Sequence, residues 1–236
     1  MTVDNRLSFR GFSSPAEQAR ILAGDIAFRL QAGIDQRGSA SLVVSGGATP
    51  LLLFAALAEQ EISWDRVIVT LADERWVAPT DQDSNEALVR RHLLTGRAAN
   101  ARFVGLWSGE ASAGAAEAAC EKAIAAIPLP FDVVVLGMGR DGHIASIFPG
   151  APELPTAISI KSGRRCAAIT PPKAAHGRMT LTLAVLIQAR GIYLLLTGKE
   201  KLHTFEEAIG AGDPMEMPVR ALLAHARQPV LVCWAP

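Results

Sequence analysis

The segment VVVLGMGRDGHIASIFPG, residues 133–150, places a glycine-rich loop directly after an apolar run that is typical of a buried strand. Gly137, Gly139 and Gly142 have the G-x-G-x-x-G spacing of a dinucleotide-binding loop. Such a site also requires a helix after the third glycine, with its first turn facing the pyrophosphate. A Pro-Gly pair at 149–150 interrupts the chain here, so the helix that a dinucleotide needs is too short.

The dinucleotide interpretation also requires an acidic residue about 20 positions after the glycines, to bind the ribose. No Asp or Glu occurs between Glu153 and Glu200. We therefore reject a dinucleotide site. The glycines instead predict a tight loop that presents Asp141 and His143 at the end of a strand.

Outward from this loop, short apolar runs alternate with helical patterns along the chain. The runs typical of strands are SLVVS (41–45), RVIVTLA (66–72), DVVVLG (132–137), CAAIT (166–170), IYLLLTG (192–198) and VLVCW (230–234). Ser14 followed by Pro15 and Glu17 predicts the start of a helix. The alternation predicts one α/β domain over residues 1–236, with a mainly parallel sheet and helices on both faces, a Rossmann-like architecture.

Composition excludes several classes of partner. The 236 residues include 23 Lys and Arg and 23 Asp and Glu, so no net field attracts nucleic acid or an anionic membrane. No run reaches the roughly 18 apolar residues of a membrane span. Cys120, Cys166 and Cys233 lack metal-site spacing and are expected to be reduced. We expect a cytoplasmic monomer or homodimer without a metal or organic cofactor.

The loop after the first predicted strand is a candidate anion site. Ser45, Gly46 and Gly47 follow the strand, and glycines allow backbone N–H groups to turn toward a ligand. Thr49 is a suitable N-cap, and Pro50 fits the first helical position. A helix start with exposed N–H groups suits a phosphate monoester. An ordinary Gly-Gly turn is the alternative.

Two cations strengthen the case for an anion. Lys199 follows a strand-like run, and Arg178 precedes MTLTLAVLIQA, which is predicted to be helical. Positions 154–199 contain no Asp or Glu, which favours an external anion over the usual solvated surface position. We therefore predict that Arg178 and Lys199 bind phosphate.

His143 is the candidate proton-transfer group, because it is the one histidine of five in a glycine-rich loop at a strand end. Imidazole exchanges a proton near neutral pH. Asp141 lies two positions earlier and Asp73 ends a different predicted strand, so either could orient the ring. The alternative is that Asp141 and Gly142 form a simple turn and His143 binds backbone.

Six segments together resemble a known family. They are VSGGATP (44–50), ADERWV (72–77), SNEALVRRHLL (84–94), LGMGRDGHIASIFPG (136–150), RMTLTL (178–183) and LLLTGKEK (194–201). In this order and spacing they resemble the 6-phosphogluconolactonases, over nearly the whole chain. The related glucosamine-6-phosphate deaminases and isomerases carry a glutamate shortly after the histidine, whereas residues 144–148 contain no carboxylate here.

The resemblance implies a NagB/lactonase-type fold and hydrolysis of 6-phospho-D-glucono-1,5-lactone in the oxidative pentose phosphate pathway. It implies that His143 is the base, that Asp73 and Arg75 lie near the sugar, and that Arg178 and Lys199 bind the phosphate. Loop amides from Gly139 to Gly142, or Arg75, could stabilise the oxyanion. Two alternatives remain open: a deaminase or isomerase on the same fold, and a non-catalytic regulator that binds phosphosugars.

Overall fold

The computed structural model describes residues 7–236, and that range contains ten strands, eight α-helices and two short 3-10 helices. The strands are β1 (Leu7–Gly11), β2 (Ala40–Val44), β3 (Val67–Leu71), β4 (Asp73–Arg75), β5 (Arg102–Val104), β6 (Val133–Gly137), β7 (Cys166–Ile169), β8 (Arg178–Leu181), β9 (Ile192–Thr197) and β10 (Val230–Ala235). The helices are α1 (Pro15–Arg37), α2 (Leu51–Ala58), α3 (Asn85–His92), α4 (Glu117–Ala125), α5 (Leu154–Ile158), α6 (Leu183–Leu186), α7 (Lys199–Ala208) and α8 (Val219–His225).

Seven strands form a parallel sheet in the order β1-β10-β9-β6-β2-β3-β5. All five residues of β2 are buried. Because successive side chains of a strand point to opposite faces, both faces of the sheet are covered, as the alternating sequence pattern predicted. The chain runs outward from β2 to β5 and then returns to β6 on the other side of β2. Ligands bind at such a reversal, beyond the carboxyl ends of the strands.

Helix α1 begins and ends at the residues its sequence indicates. The Ser14 hydroxyl accepts a hydrogen bond from the Glu17 N–H at 3.1 Å, as a capping residue does. Gly38 ends the helix with a φ of +81°, a conformation that glycine adopts without strain. The apolar face is fully buried and comprises Leu22, Ile26 and Leu30. No helix among residues 7–236 is both long and apolar enough to cross a membrane.

A second, three-stranded antiparallel sheet has the order β4-β8-β7 and was not predicted. The CAAIT run is the strand β7, as expected, but it belongs to this small sheet rather than the parallel one. Arg178 was predicted to begin a helix and instead begins β8, because RMTL pairs with β4. The register places Arg178 directly opposite Arg75. The second sheet therefore brings two arginines together from positions about a hundred residues apart in the chain.

Candidate functional site

A cavity of about 270 Å³ lies at the carboxyl ends of β2, β6 and β9. It is therefore at the place where a parallel sheet of this order binds ligands. Six residues predicted from the sequence line it, namely Ser45, Gly46, Thr49, Asp73, Arg75 and His143. Four others lie outside its wall, namely Gly47, Asp141, Arg178 and Lys199.

Asp141 supports the His143 ring from behind the cavity wall. Its Oδ1 lies 2.5 Å from Nδ1 of His143 and 3.3 Å from the backbone nitrogen of the same residue. Partial burial acts to raise the pKa of Asp141, but the hydrogen bond and charge of His143 outweigh it and lower that pKa. An ionised Asp141 accepts a hydrogen bond from Nδ1–H of His143, which leaves Nε2 of the neutral ring as the proton acceptor. Asp141, rather than Asp73, is therefore the carboxylate in contact with the imidazole.

Gly139 provides the space for this pair. A β-carbon on Gly139 would lie 2.1 Å from Nδ1 of His143 and 2.4 Å from Oδ1 of Asp141. The Gly139 N–H binds the His143 carbonyl at 2.8 Å, and the Gly142 N–H binds the Gly139 carbonyl at 3.3 Å. The glycine motif thus folds a compact loop around an imidazole. Both N–H groups are used within the loop, so the amides of Gly139 and Gly142, which the sequence offered as oxyanion donors, are not free for that role.

Asp73 joins the loop after β6 to the second sheet. It is 7% exposed, and its Oδ2 accepts a hydrogen bond from the Ser146 hydroxyl at 2.5 Å. Its backbone carbonyl accepts a hydrogen bond from the Asn85 side-chain amide at 2.9 Å. Asp73 therefore presents a largely buried carboxylate to the cavity wall, without contacting the imidazole.

The loop between β2 and α2 differs in detail from the prediction. Helix α2 begins at Leu51 with Pro50 as its N-cap residue, and no side chain caps it. Thr49 was expected to be the cap, but its side chain is exposed at the cavity wall instead. Gly47 has a φ of +91°, which explains the glycine at this position. Thr49 and Pro50, at the start of this helix, both line the cavity.

Asn85 also lines the cavity, although the sequence distinguished it only as a member of the segment SNEALVRRHLL. It is 2% exposed, and its Oδ1 has no hydrogen-bond partner within residues 7–236. A β-carbon on Gly46 would lie 1.8 Å from this oxygen, so Gly46 has to be glycine. The hydroxyl of Ser45 is likewise buried and unpartnered in the described chain. Two polar groups in the wall thus lack partners among the residues that the structure describes.

Glu74 holds Asn85 in place. This fully buried carboxylate accepts hydrogen bonds from the backbone N–H groups of Arg75 (2.7 Å), Asn85 (2.7 Å) and Glu86 (2.8 Å) and from the Ser84 hydroxyl (3.0 Å). Burial raises the pKa of Glu74, although all four hydrogen bonds oppose the rise. The carboxylate therefore binds the first N–H groups of α3, where negative charge is favourable.

Arg75 and Arg178 form the cationic side of the site. Arg75 lines the cavity, and Arg178, 8% exposed, lies opposite it in the β4–β8 register. Burial, followed by the charge of Arg75, lowers the pKa of Arg178. Neither arginine makes an ion pair within the described residues. Two adjacent cations, one of them buried, provide a favourable environment for an external anion.

Lys201, rather than Lys199, is the lysine of the cavity. Lys199 is the exposed first residue of α7, whereas Lys201 is partly buried and lines the cavity. Burial, followed by the charge of Arg140, lowers the pKa of Lys201. Helical spacing indicates that Lys201 faces inward. Thr204 and Phe205 are buried, and Lys201 precedes them by three and four positions on the same face.

Comparisons with known proteins show which proteins this chain resembles. Residues 13–232 match the family model described as glucosamine-6-phosphate isomerases/6-phosphogluconolactonase. A 6-phosphogluconolactonase of Pseudomonas aeruginosa is 46% identical over 95% of this chain and 93% of its own length. One of Rhizobium meliloti is 42% identical over 95% of this chain and 97% of its own. A crystal structure of a 6-phosphogluconolactonase from Shewanella baltica superposes with a TM-score of 0.95 and 45% identity, over 98% of each chain.

Proposed function

The chain belongs to the glucosamine-6-phosphate isomerase/6-phosphogluconolactonase family, and we infer that it hydrolyses 6-phospho-D-glucono-1,5-lactone to 6-phospho-D-gluconate in the oxidative pentose phosphate pathway. The observation that carries this function is that the His143–Asp141 pair and the cations Arg75 and Lys201 serve one cavity. A cytoplasmic location, a monomeric or homodimeric state and the lack of a metal or organic cofactor remain predictions from the sequence.

In this proposal, His143 is the general base. Its Nε2 takes a proton from a water molecule while the water oxygen attacks C1 of the lactone. The tetrahedral intermediate then collapses, the bond between C1 and the ring oxygen breaks, and His143 returns its proton to that oxygen. Asp141 holds the ring in the required tautomer and stabilises the imidazolium. General-base catalysis of this kind contributes about 10²–10⁴-fold, which suits an already activated ester.

The phosphate binds at the cationic side of the cavity. We assign it to Arg75, Arg178 and Lys201, with the N–H groups of the Gly46–Gly47 loop. Lys201 takes the role that the sequence had suggested for Lys199. Contacts to this non-reacting end of the substrate position C1 against the imidazole, so that binding energy supports the reaction.

The experiment compares two substrates. Freshly prepared 6-phosphogluconolactone should be hydrolysed well above its spontaneous rate, and glucosamine 6-phosphate should not be deaminated. A deaminase would need a second acid–base group after His143, and residues 144–148 offer no carboxylate. Turnover of glucosamine 6-phosphate would contradict the proposal in favour of the deaminase. Saturable binding of both compounds without turnover would favour a non-catalytic regulator.

Arg75→Ala tests the assignment of the phosphate end. A charge-assisted hydrogen bond contributes roughly 1.5–3 kcal/mol, so KM for 6-phosphogluconolactone should rise about 10- to 150-fold. Kinetics with unphosphorylated glucono-1,5-lactone should stay unchanged, since that compound has no phosphate. Arg97→Ala, which breaks an exposed ion pair with Glu61, is the control. A fall in kcat with both lactones would instead identify Arg75 as an oxyanion donor.

A further inference from the structure

Each of the two arginines beside the cavity is held by a backbone carbonyl of a neighbouring loop. Arg75 Nη1 donates to the Asp83 carbonyl at 2.6 Å, in the loop that follows β4. Arg178 Nη1 donates to the His176 carbonyl at 2.5 Å, in the loop that precedes β8. A guanidinium has five N–H donors in a rigid plane, so one anchored nitrogen sets the direction of the others.

The same two loop residues contact each other through their side chains. His176 Nε2 lies 3.2 Å from Asp83 Oδ2. The contacts therefore close into a ring that runs through Arg75, Asp83, His176 and Arg178. The strand pairing of Arg178 with Arg75 completes it. We call the Asp83–His176 side-chain contact the loop clasp.

The loop clasp opposes a specific electrostatic problem. Arg75 and Arg178 carry like charges on adjacent positions, and without a bound anion they repel each other. Two flexible side chains in this situation would turn apart into solvent and would have to be ordered again on binding. Anchoring both to carbonyls of two joined loops keeps them side by side and lowers that cost.

We propose that Asp83 and His176 are positioning residues, which keep the free N–H groups of Arg75 and Arg178 directed at the substrate's phosphate. This inference rests on the proposed function, because it takes the phosphate as the bound anion. The clasp is not needed for the fold: the Asp83 and His176 side chains are 51% and 36% exposed, and the β4–β8 ladder pairs independently of them.

The test uses Asp83→Ala, His176→Ala and the double variant, each of which retains the backbone carbonyl. An exposed ion pair contributes little, so KM for 6-phosphogluconolactone should rise only about two- to fivefold. The kcat for this substrate and all kinetics with glucono-1,5-lactone should stay unchanged. The double variant should have a KM no higher than that of the more affected single variant, because either change opens the same contact. Glu61→Ala, which breaks the exposed Arg97–Glu61 pair, is the matched control.

Charge alone predicts the opposite sign for one variant. Removing the Asp83 carboxylate takes a negative charge away from the phosphate site, which by itself would lower KM. A lowered or unchanged KM in Asp83→Ala, or additive effects in the double variant, would overturn the clasp. Equal losses with both lactones would also overturn it, since they would indicate general distortion. Failure of the wild-type protein to hydrolyse 6-phosphogluconolactone would instead overturn the proposed function on which the clasp depends.

Discussion

At the scale of single residues, Gly139 determines whether the imidazole and its carboxylate can meet. The His143 ring and the Asp141 carboxylate fill the space that a side chain at this position would occupy. Both lie closer than a β-carbon could tolerate. The loop around it is internally hydrogen-bonded, so it cannot shift without breaking those contacts. A glycine spacing that resembles a dinucleotide motif thus serves an entirely different purpose.

Gly139→Ala should therefore lower kcat about 100-fold or more, because displacing a reacting group by about 1 Å can cost that much. The measurement is steady-state lactone hydrolysis together with thermal unfolding. Gly24→Ala is the control: this exposed position in α1 has open space around it, and the change should preserve activity and add about 0.5–1 kcal/mol of stability. Retention of wild-type kcat in Gly139→Ala would show that the His143–Asp141 contact is not needed.

The sequence predicts those cavity residues that end or follow a strand, but not those that only tertiary contacts bring to the cavity. Asp73, Arg75 and His143 each end or follow a strand, so their convergence was predictable. Asn85 reaches the cavity because Glu74 anchors the start of its helix, a contact that no local pattern reveals. Lys199 directly follows a strand end and was therefore predicted, whereas Lys201 lies within α7 and is indicated only by helical spacing.

At the scale of elements, the sequence predicted neither the edge strands β1 and β5 nor the small β4–β8–β7 sheet, of which only β7 was expected to be a strand. Its strands contain three or four residues, too few for periodicity to distinguish them from the first turn of a helix. Their partners are also distant in the chain, so pairing decides the structure. This sheet nevertheless places Arg178 beside Arg75 and thereby assembles the cationic side of the cavity.

Helix α3 depends on the buried carboxylate of Glu74 in the same way. Glu74→Gln places an amide NH₂ among groups that all donate, so unfolding in urea should show a loss of roughly 1–3 kcal/mol. Glu206→Gln, at an exposed position of α7, is the control and should have no effect. An unchanged free energy of unfolding in Glu74→Gln would show that α3 does not rely on this anchor.

The same residue predicts a pH dependence of stability. Burial raises the pKa of Glu74 above its ordinary value of 4.5, so the folded chain holds this proton more tightly than the unfolded chain. The contribution of Glu74 to the free energy of unfolding should therefore fall as the pH rises from 4.5 to the folded-state pKa. The difference in free energy of unfolding between the wild type and Glu74→Gln, measured in urea across this pH range, should therefore shrink as the pH rises. An identical pH dependence in both proteins would contradict this account.

At the scale of the whole molecule, the strand order creates the site. Strands are added to the sheet in one direction from β2 to β5 and in the other direction from β6 onward. The cavity opens between β2 and β6, where this order reverses. Alternating strand and helix patterns predicted the parallel sheet, whereas the strand order depends on which crossovers pack best and is not written in any local segment. The order then gathers residues from both halves of the chain around one small substrate.

The central claim is that this cavity hydrolyses a phosphorylated lactone with His143 as its base. The most direct measurement is kcat of His143→Gln for 6-phosphogluconolactone at saturating concentration, corrected for spontaneous hydrolysis. The account predicts a fall of about 10²–10⁴-fold with KM nearly unchanged, because the phosphate contacts remain. A kcat within a few-fold of the wild type would contradict it.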